Sequence, residues 1–158
     1  MTTNAPPITG ADDLIASDDD GIAASARSLL VPIHEDWFLL DMRIVLEVVA
    51  APEVTALPTA PRCVMGLFNM RGEIVPLLDT GDLLGLRSMR TAPYALVIET
   101  PHGPAGLALS GVPESVDLGP AIGRGDLAGT TTTHGFGRRM AAVLDIAILL
   151  DPARIGVS

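Results

Sequence analysis

Apolar residues in this chain gather into short runs separated by glycine, proline and compact polar clusters. Residues 28–33, 37–40, 46–50, 64–68, 74–78, 94–100, 105–110, 112–118 and 140–144 have the length and aliphatic content of strands. Turn-forming clusters separate several of them: His34-Glu35-Asp36, Asn69-Met70-Arg71-Gly72-Glu73 and Pro101-His102-Gly103-Pro104. Helix is confined to short turns. Asp41 caps one at 42–44, Asp79 one at 80–84 that Gly85 stops, and Asp145 one at 146–150 that Asp151-Pro152 ends. A further short helix is expected at 61–65, opening at Pro61. Residues 54–57 read as extended, 87–92 as a polar link, and 119–137, with Gly123, Gly125 and Gly129, as loop. Many short strands punctuated in this way predict an all-β barrel or sandwich with short helical turns.

The most informative stretch is 54–79. Leu57-Pro58 and Ala60-Pro61 hold its approach extended, because proline removes a donor and pushes the preceding residue out of the α region. Two apolar runs then flank a polar kink. Gly72 takes positive φ without steric cost and Asn69 tolerates turns, so a β-hairpin is predicted with Arg71 at its tip.

Composition narrows the class. The 158 residues suffice for one domain, or for two small subdomains sharing a core, and 48% are apolar. One Trp, one Tyr and three Phe leave the core to aliphatic side chains. The net charge is −9, and every basic residue is arginine. An acidic chain without a basic stripe argues against nucleic acid and anionic lipid. Asp12, Asp13, Asp18, Asp19 and Asp20 concentrate charge in residues 1–26, which read as a disordered acidic tail ahead of a domain at 27–158. Cys63 is the sole cysteine, so no internal disulfide forms. With no signal-peptide pattern and no run of membrane-spanning length, a cytosolic location is expected.

Chemistry-bearing residues are few. His34, His102 and His134 are scattered through turns without metal-site spacing and read as solvated, and Cys63 reads as a small buried hydrophobe. No cofactor or metal site is suggested. The enzymatic rival is Asp79-Thr80-Gly81 after an apolar strand, which resembles the catalytic loop of retroviral-type aspartic proteases, where two such aspartates share a proton. Asp82 stands where that family has a small residue, and Asp79 is already accounted for as a cap.

The chain echoes itself. Val75-Pro76-Leu77-Leu78-Asp79 matches Ala141-Ala142-Val143-Leu144-Asp145, each followed by a turn ending Leu-Leu and each leaving a turn that holds Arg and Gly. Two similar β-units are expected.

Residues 54–79 also resemble the CheW chemotaxis coupling family. The shared features are Pro58 to Pro61, Gly66, the Asn69-Met70-Arg71-Gly72 turn with Met70 for the usual Leu, and Pro76-Leu77-Leu78-Asp79. Ile44-Val45-Leu46-Glu47-Val48 resembles a strand of the same family, and the resemblance runs from about 28 to 151. It implies two five-stranded SH3-like barrels on a shared hydrophobic core. It also implies a non-enzymatic adaptor between chemoreceptor cytoplasmic tips and the regulatory domain of the histidine kinase CheA, at membrane-associated arrays. A related coupling role in a pathway with another output, such as pili, shares the same fold. The partner-binding residues so implied are Val45, Glu47, Asn69, Arg71 and Gly72, with Glu47 and Arg71 paired across neighbouring strands. Gly66, Pro76, Asp79 and Asp145 would serve turns and caps. Val45, Leu46 and Val48 alternate with Glu47, which leaves open which strand face meets a partner.

Overall fold

The structure, a computed structural model, describes residues 27–155. The reading of 1–26 as an acidic tail therefore lies outside the described residues. Among the described residues, eleven strands form two sheets. In chain order they are β1 (Arg27–Ile33), β2 (Asp36–Asp41), β3 (Val45–Ala50), β4 (Val64–Met70), β5 (Glu73–Leu78) and β6 (Tyr94–Thr100). Then follow β7 (Gly103–Leu109), β8 (Glu114–Asp117), β9 (Ala121–Arg124), β10 (Thr130–Phe136) and β11 (Arg139–Leu144). A 3-10 turn, Met42–Ile44, joins β2 to β3. The short helices α1 (Thr80–Leu83), α2 (Ile146–Leu149) and α3 (Pro152–Ile155) complete the description.

The first sheet runs β9-β10-β11-β2-β1-β8 and the second β3-β6-β7-β5-β4. All pairings are antiparallel except β11 with β2 and β5 with β7. The two sheets are permuted copies of one plan. In the second, β3 flanks the β6–β7 hairpin, whose far strand lies parallel to β5 of the β4–β5 hairpin. In the first, β8 flanks β1–β2, whose far strand lies parallel to β11 of the β10–β11 hairpin. The N-terminal hairpin thus completes the sheet built by the C-terminal half. The first sheet has six strands where five were expected. Its extra strand β9 pairs Gly123 with Thr133, and the second sheet keeps only a trace of it, the single bridge between Thr55 and Leu67.

Two further expectations are corrected and one gains a detail. Residues 61–65 are not helical: two successive turns, Ala60 N–H to Leu57 O at 3.1 Å and Val64 N–H to Pro61 O at 2.9 Å, feed directly into β4. The closely spaced prolines permit turns but no run of helical donors. Residues 119–137 are not mainly loop, because the β-branched run Thr130–Thr133 forms β10 and recruits β9. As expected, α2 ends before Asp151-Pro152, and Pro152 also starts a new element. It opens α3, with Asp151 Oδ1 accepting from Ala153 N–H at 3.0 Å, since proline at a first helical position loses no bond.

One large apolar cluster takes residues from both sheets: Leu29, Val31, Ile33, Phe38 and Leu40 of β1 and β2 pack with Val75, Leu77, Leu96, Ile98 and Leu107 of the second sheet. A smaller cluster, centred on Leu30, Leu39 and Ala141, fills the opposite face of the first sheet. Alternate residues of β1 and β2 thus serve two apolar volumes, which explains why these strands read as unbroken apolar runs.

Candidate partner-docking site

The β4–β5 hairpin turns on two residues in the left-handed region, Arg71 at φ 54° and Gly72 at φ 88°. This is the primed turn whose twist suits a hairpin. Gly72 was foreseen in it; Arg71 itself at positive φ was not, and a side-chain-bearing residue there is uncommon. Asn69 Oδ1 accepts from Gly72 N–H at 2.9 Å and fixes the loop. Arg71 Nη2 lies 3.1 Å from Glu47 Oε1; the Arg71 side chain is 80% exposed and that of Glu47 29%. Glu47 stands on β3 and Arg71 next to β4, the two ends of the second sheet, so the pair clasps that barrel at one end.

The rest of the clasp follows from backbone packing. Thr55 and Leu67 exchange two backbone hydrogen bonds of 2.8 Å. They draw the chain so close over Gly66 that a Cβ there would collide with the Thr55 carbonyl. Gly66 is therefore fixed by close approach. Pro76 lies on β5 opposite Leu67. On β3, Val45 and Val49 pack against the large core, whereas Leu46 and Val48 face out at 49% and 40% exposure. The outward apolar face of β3 is thus Leu46 and Val48. Asn69 and Gly72 are exposed.

The Asp-Thr-Gly segment is built differently from a catalytic loop. Asp79 is 2% exposed, and its carboxylate accepts from Asp82 N–H at 3.0 Å, from Met89 N–H at 3.0 and 3.1 Å, and from the Ser88 hydroxyl. Thr80 Oγ1 donates to the Ala108 carbonyl at 2.8 Å. Every carboxylate oxygen is engaged by neighbours that pin the 86–89 segment onto α1. Asp145 caps α2 more loosely, accepting from Ile148 N–H at 3.3 Å.

The histidine reading needs correction. His102 is exposed, but His34 is half-buried and His134 is 5% exposed. His34 Nε2 donates to the Arg87 carbonyl at 2.8 Å, while Arg87 forks onto Glu35 at 2.9 and 3.2 Å. His134 Nδ1 donates to the Gly119 carbonyl at 2.8 Å, and its Nε2 lies 2.9 Å from the Thr132 hydroxyl. Both are turn-fastening groups, a role that residue spacing does not reveal. Burial, with Asp82 nearby, pushes the Cys63 thiol up, away from nucleophile chemistry. Among the described residues no three His, Cys, Asp or Glu side chains form a metal-type group, and no helix is long and apolar enough to cross a membrane.

A second clasp went unnoticed in the sequence. Arg139, at the start of β11, forks onto Glu114 of β8 at 3.1 and 3.3 Å and lies 4.6 Å over the Trp37 ring. Its guanidinium holds the Glu114 carboxyl below the usual range. By the permuted plan β8 corresponds to β3, so Arg139–Glu114 closes the first barrel as Arg71–Glu47 closes the second. The echo extends to Ile74 and Met140, 59% and 65% exposed, one residue into β5 and β11. The repeated Leu-Asp was the signal that could have found it. Beside this end lies an open groove of about 710 Å³ between β2, β9–β11 and Leu86.

A family model described as a CheW-like domain matches residues 27–155. Among solved structures, the chain is similar to the scaffolding protein TtCheW from Thermoanaerobacter tengcongensis. The TM-score is 0.70 at 20% identity, covering 80% of this chain and 93% of that one, a likeness of fold. No curated protein matches.

Proposed function

The chain belongs to the CheW-like domain family over residues 27–155, and on that premise we propose that it is a non-enzymatic coupling protein joining chemoreceptor cytoplasmic tips to the regulatory domain of a CheA-type histidine kinase. It would act in the cytoplasm at membrane-associated arrays. The observation that carries this reading is Arg71. An exposed hairpin tip normally takes Asn-Gly or Gly-Gly at such φ values. Here an arginine stands at φ 54°, held by Glu47, with donors still pointing to solvent. Strain kept in a surface turn for one exposed ion pair, worth about 0–1 kcal/mol, marks a residue retained for what it touches. A planar guanidinium can hold one carboxylate and still present N–H groups to a partner. Leu46 and Val48, on the outward face of the strand that carries Glu47, supply the apolar contact that a docking surface needs.

The test is co-purification of the kinase and receptors from cell extract, with binding measured for wild type, Arg71→Glu, Glu47→Arg and the double swap. Exposed pairs contribute only about 0–1 kcal/mol to folding, so all four should melt alike. Binding should fall in both single variants, because like charges meeting at an interface cost several kcal/mol (roughly 2–5). The swap should recover only part, since it restores the clasp but inverts the sign shown outward. Wild-type binding by Arg71→Glu would remove this site.

A further inference from the structure

Outside the Arg71 site, the face of the first sheet beside β9 carries exposed apolar side chains around a defined notch. Ile122 is 58% and Met140 65% exposed. Ile122 on β9 leans over Gly135 of β10, its Cδ1 3.6 Å from where a Cβ on that glycine would stand. Gly135 in turn is the register partner of Met140 on β11. Two apolar knobs therefore flank a notch that has no side chain. Around them stand four exposed charges, Arg124, Arg138, Asp36 and Asp126, all lining the adjoining groove. Of the nine arginines at described side chains, six make ion pairs; Arg124 and Arg138 make none, and neither do Asp36 and Asp126.

We propose that this face joins two copies of the chain about a two-fold axis. A two-fold contact requires a surface that fits itself. Here a knob and a notch adjoin, so Met140 of each copy can enter the Gly135 notch of the other. The charges balance in number, so a two-fold placement can set each arginine against an aspartate that makes no ion pair among the described residues, Asp36 feeling only the nearby charge of Arg87. An apolar centre within a charged rim is the anatomy of a protein contact. A partner of one charge sign would leave half of this rim opposed by like charge, which favours a second copy. The net charge of −9 on each chain opposes association, so the dimer is weak and depends on concentration.

The test is sedimentation equilibrium of the full chain, without kinase or receptor, so its outcome is independent of the coupling role. The average mass should climb with concentration from 16.4 kDa towards twice that value. Met140→Glu should hold it at the monomer. Arg124→Asp/Arg138→Asp and Asp36→Arg/Asp126→Arg should each be monomeric alone yet associate when mixed, with circular dichroism confirming that both are folded. A wild-type mass that stays at the monomer overturns the proposal, as does association that survives Met140→Glu. Folded charge variants that remain monomeric in the mixture overturn the charge pairing.

Discussion

Among the described residues, three with side chains sit in the left-handed region, His34 at φ 57°, Ala51 at φ 47° and Arg71 at φ 54°, and they separate by what holds them. His34 is anchored by its ring to Arg87 and by its N–H to Ser110 Oγ at 2.5 Å. Arg71 is clasped by Glu47. Ala51 has only its backbone N–H, bonded to the Pro93 carbonyl at 2.8 Å, and its side chain is exposed. No side-chain contact repays its conformation. Ala51→Gly should therefore raise stability by up to about 1 kcal/mol, the left-handed cost of a Cβ less part of glycine's extra unfolded-state freedom. Thermal melting checks it; an unchanged or lower Tm would mean the strain is relieved elsewhere. Arg71→Asn sets the contrast: asparagine tolerates this region, so Tm should hold while partner binding falls. The sequence announced Gly72 because glycine marks turns. It could not announce Arg71 and Ala51, since nothing in their identity favours positive φ and only the assembled hairpin and linker impose it.

The repeated strand-and-cap element tests how much the same sequence signal means in two settings. Asp79 and Asp145 both end an apolar strand and both cap a short helix, and both were legible as Leu-Asp before a turn. Their surroundings were not legible, because they come from residues far along the chain or across the sheets. Asp79→Ala strips an acceptor from the buried N–H of Met89 and from part-buried donors at Ser88 and Asp82. It should cost on the order of 3 kcal/mol, since buried donors left unsatisfied carry their full desolvation penalty. Asp145→Ala loses one long cap bond and should cost about 1 kcal/mol or less. Equal losses would show that Asp79 is no more than a cap. The barrel clasps give a prediction in pH. The Glu114 carboxyl titrates below its usual value of 4.5 because Arg139 hydrogen-bonds it. A folded-state value below the unfolded one adds stability above about pH 4.5 that is lost as pH falls through the lowered value. The Tm gap between wild type and Arg139→Gln should therefore narrow on acidification to about pH 3, leaving what the stacking on Trp37 contributes. A gap that does not change with pH would assign the whole effect to stacking.

At the scale of the molecule, the two barrels are separate in topology and joined in packing, and the joining decides how the chain unfolds. The sequence disclosed two similar units through the Leu-Asp echo and the CheW resemblance. It did not disclose that the first hairpin crosses over to complete the C-terminal unit, because a pairing between β1 and β8 leaves no local trace. The crossing hairpin places Leu29, Val31, Ile33, Phe38 and Leu40 among the core residues of the other sheet, so neither barrel can lose its fold without opening the large cluster. One cooperative transition is expected in calorimetry, with the calorimetric and van't Hoff enthalpies equal. Leu39→Ala in the small cluster and Leu96→Ala in the large one remove buried side chains, 1% and 0% exposed, from different volumes. Each should cost about 2–5 kcal/mol and lower the same single peak. A chain beginning at Arg27 should keep the wild-type Tm, whereas one beginning at Val45 should not fold, since it lacks the strands that fill both clusters. Two resolved peaks, or a Leu39→Ala shift confined to one of them, would show that the barrels melt independently. A single transition would mean that the Arg71 clasp and the Arg139 clasp are held at a fixed spacing by one core, the mechanical property a protein needs if it is to hold two partners in register.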